Sequence, residues 1–93
     1  MALQITKSGR EFTHEIEGTT FTLYRPTQDE EAAMLKAHTR KGTLDWFGFS
    51  IAKLERCVRG WDELIVDGQK VPFDKALLKE FPVADRVRLL DAI

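Results

Sequence analysis

Two histidines, one cysteine and a run of three acids are the residues of this chain whose chemistry could extend beyond packing. His14 sits between Phe12 and Ile16 in an alternating stretch, and His38 lies in a separate element. Neither has a Cys or a second His at the spacing that convergent metal ligands require, so both are expected to be structural. Cys57 has Arg56 beside it and Arg59 two residues on, and positive charge lowers a thiol pKa. A nucleophile also needs a base and a group that orients the base, and the spacing points to neither. A lone helical cysteine reads instead as a small buried apolar group. Asp29, Glu30 and Glu31 suit the positive end of a helix better than a metal site. The six glycines stand singly, with no Walker A or Gly-x-Gly fingerprint. Arg56, Arg59, Arg86 and Arg88 are interleaved with Glu55, Asp62, Asp85 and Asp91, the pattern of a solvated salt-bridged face and not of a phosphate track. The expectation is a non-enzymatic protein without metal or cofactor.

The elements that position these residues follow from periodicity. Phe12, His14 and Ile16 alternate with Glu11, Thr13 and Glu15, and Phe21 and Leu23 resume the same period after Glu17-Gly18-Thr19. This predicts an antiparallel hairpin over 10–24, ended by Pro26. A further strand over 2–6 follows from the alternation of Leu3 and Ile5. Thr27-Gln28-Asp29-Glu30 is a capping-box pattern that opens a helix over 28–41, with Lys36, Arg40 and Lys41 at its negative end and Gly42 as its stop. Leu44, Phe47, Ile51, Leu54, Val58 and Trp61, spaced 3 and 4, predict a helix whose buried stripe spans 44–61, with Gly60 as its terminator and Trp61 just beyond the end. Gly48 inside it costs about 1 kcal/mol relative to Ala, which allows a later start at Ser50. Asp67-Gly68 marks a short hairpin. Asp74 caps a short helix carrying Leu77, Leu78 and Phe81, and Pro82 separates a last helix in which Val83, Val87 and Leu90 share a face. The fold class is α+β: an N-terminal antiparallel hairpin, with the third strand over 2–6, followed by three or four short helices in one domain over 1–93.

Bulk properties narrow the function classes. The 93 residues are 43% hydrophobic and 31% charged, ordinary globular chemistry. Fourteen basic against 15 acidic groups, evenly spread along the chain, leave no electrostatic footprint for nucleic acid or an anionic membrane. The longest apolar run, Ala32 to Leu35, is far short of a membrane helix. One cysteine suits a reducing compartment. The aromatics remain. Trp46, Phe47 and Phe49 crowd into four residues, more than one helix face holds. With Phe47 in the inner stripe, Trp46 and Phe49 flank it, and Lys53 and Arg56 lie one and two turns beyond Phe49. These four, Trp46, Phe49, Lys53 and Arg56, form the candidate partner-binding set: two anchors with a basic rim, set against the alternative of a wide buried face.

Two stretches resemble a known family. Phe12 to Thr27, a Gly-turn hairpin that ends in Arg25-Pro26-Thr27 before an acidic-start helix, resembles the opening of the small tail assembly chaperones of long-tailed bacteriophages and prophages. Val58-Arg59-Gly60-Trp61-Asp62, then Asp67-Gly68, Val71-Pro72-Phe73, Leu77-Leu78 and Pro82, are similar to the pattern toward the end of related phage proteins. The resemblance implies a helper of tail morphogenesis in the cytoplasm of the bacterial host. Such a chaperone binds the tape measure protein, keeps its apolar helices soluble and helps recruit tail tube subunits. The alternatives are a permanent virion component, such as a tail-completion or head–tail connector protein, and a small phage-derived regulatory binding protein.

Overall fold

A computed structural model describes residues 9–93, so the strand expected over 2–6 lies outside the described residues. The expected hairpin is present. Strand β1 (Glu11–Ile16) pairs antiparallel with β2 (Thr19–Tyr24), Phe12 facing Leu23 and His14 facing Phe21 across the ladder. Glu17 and Gly18 both take positive φ, as a two-residue turn that follows the strand twist demands. Helix α1 (Gln28–Ala37) starts on the expected capping box: Thr27 accepts from the Glu30 amide, and Glu30 accepts from the Thr27 amide. Short strands β3 (Thr39–Arg40) and β4 (Thr43–Leu44) pair with each other, and helix α2 (Trp46–Cys57) follows. Strand β5 (Val58–Asp62) pairs with β2 and completes a three-stranded antiparallel sheet in the order β1-β2-β5. Strands β6 (Ile65–Val66) and β7 (Gln69–Lys70) flank the Asp67-Gly68 turn. A 3₁₀ helix over Lys75–Glu80, capped by Asp74, and helix α3 (Val83–Ala92) end the chain. The architecture is α+β, with four helical segments among the described residues.

One face of the sheet carries the core. Phe21 and Leu23 of β2 and Val58 and Trp61 of β5 pack against Leu54 of α2, Leu78 of the 3₁₀ helix and Leu89 of α3. Trp61 is its aromatic hub. Its ring meets Phe21, Phe73 and Phe81 at centroid distances of 6.3, 4.7 and 5.8 Å, and its indole N–H donates to the Val71 carbonyl at 3.2 Å. The hydrogen bond satisfies the one polar atom that burying a tryptophan would otherwise strand.

Two boundaries and one helix face differ from the sequence reading, each for a physical reason. The first helix stops at Ala37 and not at 41. Thr39 donates its hydroxyl to the Leu35 carbonyl at 2.7 Å, and Lys41-Gly42, both at positive φ, turn a hairpin instead of ending a helix. The second helix ends at Cys57, and Val58 to Asp62 form a strand. A strand normally sends residues three apart to opposite faces. Here Thr22 pairs with Gly60 and Leu23 with Val58, so Arg59 is the extra residue of a β-bulge and the parity resets. Val58 and Trp61 therefore both face the core, and a bulged strand imitates helical spacing. In α3, Leu89 is buried while Val83 is 46% exposed. Val83/Val87/Leu90 and Leu89/Leu90/Ile93 both have helical spacing, and packing of α3 on α2 selects the set that contains Leu89.

Candidate interaction surface

The start of α2 is built by a cap. Asp45 accepts from the Gly48 amide at 3.1 Å, and the Asp45 amide donates to the His38 carbonyl at 2.8 Å, anchoring the helix start to the end of α1. Gly48 follows from this arrangement. A Cβ there would collide with the Asp45 carboxylate and come within 3.0 Å of His38 Nδ1. The glycine that argues for a late helix start is thus the residue that admits an early one.

Starting the helix at Trp46 leaves its first turn beyond the core. Trp46 is 40% exposed and Phe47 63%, their rings edge to face at 5.4 Å. Leu44, just before the cap, is exposed as well. Beside them a shallow cleft of about 530 Å³ opens between the end of α1 and the β3–β4 hairpin, lined by Ala37, His38, Arg40, Thr43, Leu44 and Asp45. Phe47 and Leu44, which the periodicity assigns to the core stripe, are therefore surface residues. Asp45 is the signal that separates them, since an N-cap residue directly before an apolar run places Leu44 outside the helix.

The four candidate binding residues part into two groups. Trp46 is on the exposed aromatic surface. Phe49 is half-buried, with Lys53 Nζ 5.8 Å from its ring centroid. Lys53 and Arg56 are engaged within the molecule. Lys53 Nζ lies 2.6 Å from Glu31 Oε1, and only 13% of its side chain is exposed; Arg56 Nε donates to Glu30 Oε2 at 2.9 Å. They clasp α2 to α1 and do not line up beside Trp46.

Glu30 is the centre of that clasp. Besides Arg56 and the Thr27 amide, it accepts from the Tyr24 hydroxyl at 2.6 Å, and the Arg59 guanidinium stacks 4.4 Å from the Tyr24 ring centroid. The Tyr24 hydrogen bond, the Thr27 amide and Arg56 hold the Glu30 carboxyl down at about 2, and the same hydrogen bond pushes the Tyr24 phenol up. Cys57 is fully buried, and burial pushes its thiol up despite the nearby Lys53, Arg56 and Arg59. That environment favours the protonated thiol over the nucleophilic thiolate. His14 lies exposed on β1. Among the described residues, no group of three or more His, Cys, Asp and Glu side chains is placed to hold a metal ion, and no helix is long and apolar enough to cross a membrane. Comparison of the chain with protein-family models, with curated proteins and with solved structures found no match.

Proposed function

We propose that this chain is a tail assembly chaperone of a long-tailed phage or prophage, acting without catalysis in the bacterial cytoplasm and binding apolar helices of the tape measure protein. The observation that carries this reading is the Trp46–Phe47 pair. Two large aromatic rings stand at a helix start, in contact with each other and contributing nothing to the core. Aromatic side chains give large contact area at low conformational cost and are favoured at the centres of interfaces. With Leu44 they offer an apolar anchor to a client helix, a contact of the helix-and-groove kind. The resemblance of Phe12 to Thr27 to the opening of such chaperones supplies the identity of the client.

Co-expression with the tape measure protein followed by pull-down tests the reading. Trp46→Ala and Phe47→Ala are each expected to weaken capture by about 1 kcal/mol or more, with circular dichroism unchanged. Normal capture by both variants defeats it. Recovery of the chain from purified particles by mass spectrometry would instead identify a permanent virion component.

A further inference from the structure

A second surface lies away from the aromatic pair, where the β1–β2 turn, the β6–β7 hairpin and the start of α3 approach one another. Between them runs an apolar groove of about 500 Å³, floored by Phe21, Leu64, Leu77 and Phe81. Ile65, 56% exposed, extends one wall into solvent.

The rim of this groove has a single sign. Glu17, Glu63, Asp67, Glu80 and Asp85 line it, and no Lys or Arg does. The cations paired with the rim among the described residues offset only part of that charge. Arg88 lies 3.3 Å from Glu17 and 3.7 Å from Asp85, and Lys70 lies 2.8 Å from Glu63. Asp67 and Glu80 have no ion pair among the described residues. Among the described residues, five carboxylates and the two cations paired with them leave a net charge of about −3 around an apolar floor, on a chain whose overall charge is −1. Like charges gathered around an apolar slot repel one another in the empty state. They are relieved by an occupant that brings opposite charge together with apolar side chains.

We infer that this groove docks a cationic amphipathic segment of a partner protein, its apolar side chains on the Phe21–Leu64–Leu77–Phe81 floor and its Lys or Arg side chains against the acidic rim. A groove of this volume takes a few large side chains and not a whole domain, which suits anchors spaced three and four along one helix face. An acidic or uniformly apolar segment would leave the rim repulsion in place. The inference does not depend on the chaperone reading, because it rests on different residues and a different face.

The probe is a synthetic Leu/Lys peptide of about 14 residues, roughly four helical turns, with Leu at three-four spacing. It is titrated into the isotope-labelled protein and followed by amide chemical shifts. Saturable shifts at Leu64, Leu77, Phe81 and Asp85 are expected, with affinity falling about tenfold or more between roughly 0.05 and 0.5 M salt. The double variant Asp67→Asn, Glu80→Gln is expected to weaken binding about threefold or more with unchanged circular dichroism. Asn keeps the left-handed turn that Asp67 adopts at φ 51°, so the hairpin survives the change. Because the shifts are read residue by residue, binding at the groove is separated from binding at the Trp46–Phe47 pair. The inference is overturned if the peptide shifts no groove residue, if a Leu/Glu peptide binds equally well, or if the double variant binds like the parent. It is also overturned if sedimentation shows a dimer in which a second copy shields the groove.

Discussion

Leu54 and Phe47 sit one heptad apart on the same sequence stripe and have opposite environments. Leu54 is completely buried under the sheet, whereas Phe47 is mostly in water. Leu54→Ala is therefore expected to cost about 2–5 kcal/mol, the transfer free energy of the lost atoms plus the cavity they leave. Phe47→Ala is expected to fall within about 0.5 kcal/mol of the parent. Urea unfolding of the two variants decides this, and equal losses would place both side chains in the core. The difference originates at Asp45 and Gly48. The capping carboxylate sets where the helix begins, and the missing Cβ at Gly48 is what lets that carboxylate lie against the first turn.

Helix α1 has no buried residue, so packing alone does not account for its place in the fold. Its attachment is polar: the capping box at its start, Tyr24 and Arg56 on Glu30, and Lys53 on Glu31. The depressed pKa of Glu30 gives this attachment a pH signature. A carboxylate that binds protons less readily in the folded state contributes stability in full above the ordinary carboxylate range, and loses it as pH falls through about 2. Between about pH 6 and pH 3 the parent protein is expected to lose more stability than Glu30→Gln, whose side chain does not titrate. Parallel pH dependence of the two in denaturant unfolding would show that Glu30 has no linkage to folding.

Among the described residues the molecule is flat, 43 × 39 × 18 Å, with α2, the 3₁₀ helix and α3 contributing to the core on one face of a three-stranded sheet. In so thin a body the apolar core is small, and distance from it sets local stability. Amides of α1 are expected to exchange with solvent faster than those of β2 and α2, because opening α1 exposes little apolar surface. Hydrogen exchange read by mass spectrometry or NMR checks this, and protection of α1 equal to that of β2 would make the fold one cooperative unit. The same thinness leaves apolar groups uncovered, among them the Trp46–Phe47 pair and the groove beside the β6–β7 hairpin.

Local chemistry made much of this fold legible in the residues. The Glu17-Gly18 and Asp67-Gly68 turns, the Thr27–Glu30 capping box and the Asp74 cap each depend on residues within a few positions of one another, and each is where its pattern places it. The strand at 58–62 was not legible, because its bulge exists only through pairing with Thr22 and Leu23, about 35 residues away. The engagement of Lys53 and Arg56 also lay beyond periodicity, since their partners Glu31 and Glu30 belong to another helix. Hydrophobic spacing records which residues can share a face; whether that face is covered depends on what the rest of the chain lays over it. Leu54 is covered and Phe47 is not, and only the crossing of α2 over the sheet separates them.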